Sequence, residues 1–434
     1  MKIKIFMMMI IFLNACTFGK KDLQNTAYLY QEKFPKINAE YQVFHNSSIE
    51  STLSCRIKSN EFLSVFSANE KQKKINLSIN GQLYLDKEES IPLDSFANEI
   101  NVSDSVKLIT EEFTFRSKLN EKYLLKITLK DLSKSTTSIK KIYFEKGDDS
   151  KENFRVFKNG EQQYSNIFNV GDSLLIFHNS EKENLSVRFF NEDFDVAEPP
   201  FNIGRIKAAE IYPKNNFNIT SDKEFFILHI TQKGIYQITT NDQEKGLNIL
   251  SFRKGFPTVS NTNDMIATLE YINTKEELQK LTTVQEKKIA LDQFWLNKTK
   301  HDKKIAKKLI RTYYKRVENA NKFFTSYKAG WKTDRGMIMI VFGTPNIIYE
   351  SKDGESWIYG EKNTMYALNF TFTKIKNKFS ENDFQLNRSA YFKNPWNTAK
   401  DSWRNGHPYS DIDIKERIHE QERRQKQNQF YFWY

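Results

Sequence analysis

The sequence predicts two β-sandwich domains followed by an α+β domain with two long helices and an antiparallel meander. Three observations carry that expectation. Apolar residues alternate with polar ones over short runs between Phe34 and Phe256, as at Leu53, Cys55 and Ile57, at Ile75, Leu77 and Ile79, and at Leu125, Ile127 and Leu129. That is the period of strands with one buried face. Beyond residue 261 the spacing lengthens to three and four, at Ile305, Leu309, Tyr313, Val317, Ala320 and Phe324, the stripe of an amphipathic helix. Finally, 434 residues are more than one hydrophobic core usually serves.

Composition agrees with a globular chain. Phe and Tyr number 35 and 20 against 15 Gly and 9 Pro, which favours regular, aromatic-rich elements over low-complexity sequence. The formal charge of +12 is the remainder of 66 basic and 54 acidic residues, so most of it is solvated surface. Of the two cysteines, Cys16 falls in the leader and Cys55 at a core position of a strand, which leaves no disulfide framework.

Residues 1–15 read as a signal peptide: Lys2 and Lys4 precede an apolar run, Ile5 to Leu13, too short to span a bilayer as a mature helix. The run closes on Leu13-Asn14-Ala15-Cys16, which resembles a lipobox. That resemblance implies cleavage before Cys16, acylation of the new N-terminus with chains such as palmitate, and a lipoprotein held in the cell envelope at the outer membrane. Each buried methylene contributes about 0.8 kcal/mol to such an anchor, so three chains hold it permanently. Residues 16–31 are then a polar tether, and an exported chain meets no nucleic acid.

The first β domain is expected over residues 32–147. Asn80-Gly81, between Ile79 and Leu83, predicts a two-residue hairpin, since a type I′ turn needs positive φ at both central positions. Gly147-Asp148-Asp149-Ser150 is a polar break. The second β domain is expected over 148–260, marked by Asn159-Gly160, Leu174 to Phe177, Phe225 to Ile230 and Ile235 to Ile238. Gly234-Ile235-Tyr236 is similar to the tyrosine corner of immunoglobulin-like sandwiches, in which a tyrosine hydroxyl bonds back to the backbone, and is equally read as a cross-strand packing tyrosine.

The C-terminal domain is expected over 261–434. Thr274-Lys275-Glu276-Glu277 fits a capping box and predicts a helix of some twenty residues, with Leu291, Phe294 and Trp295 in its core face. The next helix bears the stripe described above. It also carries Lys298, Lys300, Lys303, Lys304, Lys307, Lys308, Arg311, Lys315 and Arg316 against Asp302 alone, either a solvated face or a contact for anionic headgroups or an acidic partner. Gly330 is expected to end it in the left-handed conformation. The solid apolar run from Met337 to Phe342 predicts a strand, followed by short strands at Ile347 to Tyr349, Ser356 to Tyr359, Ala367 to Phe372 and Phe384 to Tyr391.

Between helix and apolar run lies Gly330-Trp331-Lys332-Thr333-Asp334-Arg335-Gly336, which resembles the signature of the GWxTD domain, a module of bacterial envelope lipoproteins with no assigned biochemical role. The resemblance extends to Phe294-Trp295, Tyr314 to Asn321, Phe342 to Asn346 and Glu355 to Tyr359. Read as structure, Trp331 locks a corner, Thr333 and Asp334 suit a side-chain-to-backbone turn, and Gly336 permits close approach. Read as chemistry, Asp334 is a carboxylate for a cation or a general base, and Arg335 an anion fork. Trp396 and Trp403 are expected in a loop, as anchors or as a stacking surface. The chain ends in Phe430, Tyr431, Phe432, Trp433 and Tyr434, five aromatic residues that call for a docking surface.

The six histidines have no metal-ligand spacing, and no His-Glu-x-x-His, Cys-x-x-Cys, Walker loop or nucleophile elbow occurs. No cofactor or metal is expected, and familiar enzyme mechanisms are disfavoured. The leading expectation is a non-catalytic lipid-anchored protein whose β domains extend the C-terminal domain from the membrane, where it binds or helps assemble another envelope component. An envelope protein is the expected partner, with an anionic lipid or a glycan as further candidates. The alternative is a protein that binds or processes a glycan or peptide with Asp334 and the Trp396/Trp403 loop.

Overall fold

The computed structural model describes residues 25–30, 37–66, 72–86, 90–134, 136–191, 194–204, 211–240, 245–360 and 367–431. The signal-peptide and lipidation readings, Cys16 included, and the terminal Phe432, Trp433 and Tyr434 lie outside the described residues. Among the described residues no helix is long and apolar enough to cross a membrane.

The first β unit comprises β1 (Ala39–His45), β2 (Glu50–Lys58), β3 (Ser64–Phe66), β4 (Lys73–Leu85), β5 (Asp94–Ser103), β6 (Leu108–Arg116), β7 (Lys122–Asp131) and β8 (Thr137–Glu145). They form two antiparallel sheets, β1-β2-β6 and β3-β4-β7-β8, with β5 also paired to β4. One core joins the sheets, from Leu53 and Ile57 on β2 to Leu77, Ile79, Ile127 and Leu129 on β4 and β7, a sandwich-like arrangement. Cys55 is a buried thiol of this core, and burial pushes it up to about 12.

Asn80-Gly81 is not a turn; both residues lie within β4. The apolar alternation keeps its phase through the dipeptide, so a straight strand holds Ile75, Leu77, Ile79, Leu83 and Leu85 on one face. A two-residue turn would move the last two to the other. Glycine is needed at 81 because Phe96 of β5 lies over it: a Cβ would sit 2.0 Å from the ring's Cζ, and that ring stacks on Phe113 at 4.5 Å.

The second β unit comprises β9 (Phe154–Lys158), β10 (Glu161–Gln163), β11 (Ile167–Asn169), β12 (Ser173–His178), β13 (Asn184–Asn191), β14 (Asn215–Asp222), β15 (Phe225–His229), β16 (Gly234–Thr239) and β17 (Leu247–Phe252). The strands follow one path, β10-β9-β12-β15-β14-β13-β16-β17-β11, folded over a shared core that includes Ile176, Val187, Phe226, Ile238 and Ile249. Here Asn159-Gly160 does turn, with φ of 53° and 79° between β9 and β10. In both β units a tyrosine closes the bend before its strand. The Tyr236 hydroxyl accepts from Gln232 N at 3.0 Å, and the Tyr123 hydroxyl accepts from Lys118 N at 2.7 Å.

The C-terminal domain begins with α1 (Thr262–Ala267), α2 (Lys275–Thr283), α3 (Lys287–Lys298), α4 (Lys303–Phe324) and α5 (Asp334–Phe342). The antiparallel meander β18 (Ile347–Glu350), β19 (Gly354–Tyr359), β20 (Leu368–Lys374) and β21 (Phe384–Leu386) follows, and α6 (Lys393–Arg404) and α7 (Asp411–Tyr431) complete the described chain.

This domain departs from five expectations. The capping box at Thr274 is present, but its helix stops at Thr283, where the hydroxyls of Thr282 and Thr283 both bond to the Gln279 carbonyl and Val284 turns extended. Helix α4 ends at Phe324 rather than Gly330, and Ile305, at 48% exposure, stands outside its buried stripe. Met337 to Phe342 is helix, not strand: α5 is buried on every side, so its sequence carries no amphipathic stripe to betray it. Trp396 and Trp403 lie on α6 at 3% and 0% exposure, in the core, and form no loop or stacking surface.

A separate apolar cluster joins the second β unit to the C-terminal domain. Phe190, Ile235, Leu250 and Phe252 meet Ala329 and Phe379, with Tyr327 and Trp331 packed alongside. Strand β16 is consequently buried on both faces. Residues 25–30 also rest on the C-terminal domain instead of leading away from it. Asn25 bridges Tyr349 of β18, Thr26 N donates to Ile348 O at 2.9 Å, and Tyr30 packs on Phe323, Phe324 and Trp357. The β units thus do not separate the N-terminal segment from the C-terminal domain, contrary to expectation.

Candidate functional site

The heptapeptide is the approach to α5, and each residue is fixed by its neighbours. Gly330 opens a 3-10 turn, Gly330–Lys332, pressed against α4: a Cβ there would lie 1.9 Å from the Ala320 carbonyl oxygen. Gly336 repeats the device, since its Cβ would lie 1.9 Å from the Gly330 oxygen. Neither glycine has positive φ; close backbone approach is what excludes a side chain. Asn321 of α4 receives Trp331 N at 3.1 Å on Oδ1 and donates from Nδ2 to Pro257 O at 3.1 Å. Thr333 caps α5, its hydroxyl accepting from Gly336 N at 3.1 Å and donating to Gly330 O at 2.8 Å. Trp331 is half-buried at the junction with the second β unit, where Tyr271 donates to its carbonyl at 2.7 Å.

A helix end buried without partners is costly, because its last carbonyls lose water. At the far end of α5 three side chains meet that need. Arg316 donates to Ile340 O and Val341 O, each at 3.2 Å, and to Tyr409 O at 2.6 Å. Trp403 Nε1 donates to Val341 O at 3.0 Å, and the Tyr359 hydroxyl to Gly343 O at 2.8 Å. Burial lowers Arg316 to about 10. Gly343 turns the chain with φ of 84°, beside the Arg316 guanidinium.

The two charges of the heptapeptide are paired within the domain. Asp334 takes both guanidinium nitrogens of Arg388, at 2.6 and 3.1 Å, and accepts from Leu386 N at 2.7 Å. Arg388 also donates to Glu198 O at 3.0 Å, reaching into the connection after β13. Lys332 and Lys328 reach the same connection, at Phe194 O and Asp195 O, 2.8 and 3.0 Å away. Arg335 donates to Glu355 at 2.6 Å, contacts Asn382, and lies over the Phe384 ring with 3.8 Å to its centroid. Glu355 in turn accepts from Trp357 Nε1 at 2.8 Å.

Three of the sequence stretches that resemble one family therefore converge on a single buried helix, through Arg316, Ala320 and Asn321 from α4, Gly343 at the end of α5, and Glu355, Trp357 and Tyr359 from β19, while Trp295 packs on Tyr313 and Tyr314 of α4. Asp334 and Arg335 hold structural partners, and their polar atoms face protein. Phe430 and Tyr431 end α7, away in sequence from this shell. Among the described residues no three His, Cys, Asp or Glu side chains group to hold a metal ion. Arg388, Glu198 and Asn382 carry no signal in the sequence, being joined to the heptapeptide only by the fold. Arg316 did carry one: at about 100° per residue it sits roughly 60° from the centre of the α4 stripe, inside an otherwise apolar sector.

These features define a β-rich, multidomain chain with a C-terminal α+β domain assembled round one internal helix. Residues 234–405 match the family model of the GWxTD domain. The match begins at β16, so it takes in the hairpin that packs against Trp331 and Ala329. No curated protein matches the chain. Solved structures similar to it include the crystal structure of calcium binding domain CBD12 of CALX1.1, 10% identical, covering 59% of this chain and 94% of that one at a TM-score of 0.17. Another is CBD12 from CALX1.2, 10% identical over 56% and 91% at a TM-score of 0.16. Superposition of that degree bears on neither site nor function.

Proposed function

We propose that this is a non-catalytic, lipid-anchored bacterial envelope protein whose GWxTD domain binds or helps assemble another envelope component, with a protein as its partner. The observation that carries the reading is the internal pairing of α5. Both charges of the heptapeptide and the polar groups at both helix ends engage the same chain, which suits a rigid scaffold. The Leu13-to-Cys16 lipobox supports outer-membrane anchoring, and the tyrosine closures at Tyr123 and Tyr236 support immunoglobulin-like β modules. We assign the partner contact to the aromatic residues 430–434.

In-cell photocrosslinking of the native chain and of a chain lacking Phe430 to Tyr434, with mass analysis of the mature N-terminus, tests the proposal. One recurrent envelope protein, lost with the tail while the domain stays folded, is the expected result, together with an acylated Cys16. A partner set unchanged by the deletion contradicts the assembly role, and an unmodified Cys16 contradicts the anchor.

A further inference from the structure

Helix α4 has a face that neither the domain core nor the interdomain joint uses. At about 100° per residue, Lys303, Lys304, Lys307, Lys308 and Arg311 fall on an arc of roughly 140°, across the helix from the buried stripe. All five are exposed. The acidic residues at hand are already engaged: the Asp302 carboxylate caps the helix at Lys304 N and Ile305 N, 2.8 and 3.0 Å away, and Glu318 accepts from Val259 N at 3.2 Å. Among the described residues Lys303, Lys304, Lys307, Lys308 and Arg311 enter no ion pair. The positive excess continues at the α3–α4 corner, where Lys298 and Arg404 share one carboxylate, Glu277.

The path of the N-terminal segment says what such a face meets. Nine residue steps separate Cys16 from Asn25, and a fully extended chain covers about 30 Å over them. Asn25 is already bonded to β18, and Tyr30 rests on Phe323 and Phe324 at the C-terminal end of α4. Anchoring at Cys16 therefore brings the C-terminal domain within reach of the leaflet. A helix of 22 residues is about 33 Å long, so its face is on the scale of the reach.

We infer that the basic face of α4 docks on an anionic lipid surface, with headgroup phosphates as its ligands, and lays the C-terminal domain along the membrane. The inference takes its geometry from the proposed anchor, but its test does not depend on acylation. The chain from Thr17 to Tyr434, carrying no acyl group, is sedimented with vesicles of phosphatidylcholine alone and with vesicles that also contain phosphatidylglycerol, at low and high salt. Binding to the phosphatidylglycerol vesicles only, lost at high salt, is expected. Each cation near such a surface multiplies binding roughly fivefold, so Lys304→Gln/Lys308→Gln/Arg311→Gln should weaken it on the order of 100-fold. The exposed set Lys107→Gln/Lys130→Gln/Lys140→Gln on the first β unit should leave it unchanged. No binding to phosphatidylglycerol vesicles, equal binding to both lipids, or equal loss in the two triple variants overturns the inference. An unmodified Cys16 in the native protein would remove the anchor while leaving this result to stand or fall alone.

Discussion

Replacing Asp334 with asparagine removes one charge from a pair whose side chains are 9% and 5% exposed. The carboxylate accepts three hydrogen bonds, two from Arg388 and one from Leu386 N. Asparagine keeps the shape and one oxygen, but its amide nitrogen cannot accept, and Arg388 is left charged and unmatched. Neutralising one partner of a buried pair costs about 3–5 kcal/mol, a large share of the roughly 5–15 kcal/mol that holds a domain folded. For a domain of this size that lowers the melting temperature by roughly 6–20 °C. The assay is selective, because all six tryptophans, Trp295, Trp331, Trp357, Trp396, Trp403 and Trp433, lie beyond residue 261. Tryptophan emission during urea unfolding thus follows the C-terminal domain, with Trp331 also reporting its joint with the second β unit. Arg388→Met should cost a similar amount, and the double variant less than the two together, since each single change strands the other charge. An Asp334→Asn chain within about 0.5 kcal/mol of the native one, the range of an ordinary surface change, would refute this reasoning.

Gly336→Ala drives a Cβ into the Gly330 carbonyl and should destabilise the same tryptophan transition by about 3 kcal/mol, measured by urea titration. His45 and His178 are held neutral, burial lowering each to about 4, so the unfolded chain takes up protons first as the pH falls. Stability of the β units should therefore drop from pH 6.5 towards about 4, and far-UV circular dichroism melts of His45→Asn and His178→Asn chains should show a flatter profile. Lys146 lies buried among Glu50 O, Ser51 Oγ, Ser117 O and Ser117 Oγ, and burial, only partly offset by the Glu50 charge, lowers it from 10.5 to about 8. Between those values the unfolded chain holds the extra proton, so calorimetry should show the first β unit gaining stability from pH 8 to 10.5, and Lys146→Met should abolish the gain.

Strands such as β4 and β7 were legible because they bury one face and leave a period of two, whereas β16, buried on both faces, showed only as a short apolar run. The stripe of α4 was legible from Leu309 onward for the matching helical reason. Helix α5 was not: buried on all sides, it reads as an unbroken apolar run that strands and helices share. Asn80-Gly81 and Asn159-Gly160 show how a local signal is overruled. The same dipeptide turns at 159, whereas at 80 the uninterrupted phase of Ile75 to Leu85 demanded a straight strand, and that phase was visible beforehand. Of the site, Thr333 and the two glycines could be read as structural residues. Their partners could not, because Arg388 lies 54 residues from Asp334 and Glu198 in another unit. The docking of residues 25–30 on β18 had a mark in Ala27-Tyr28-Leu29-Tyr30, an apolar and aromatic run inside a stretch read as a polar tether.

Native-state hydrogen exchange across residues 334–342, read by mass spectrometry, tests the central claim most directly. If the heptapeptide opens a buried helix with both ends satisfied, the amides of Met337 to Phe342 exchange only with unfolding of the whole domain, far more slowly than those of the exposed first turns of α4. Exchange as fast as in those turns would show that α5 opens to solvent in the folded protein, and would contradict a structural hub at Asp334 and Arg335.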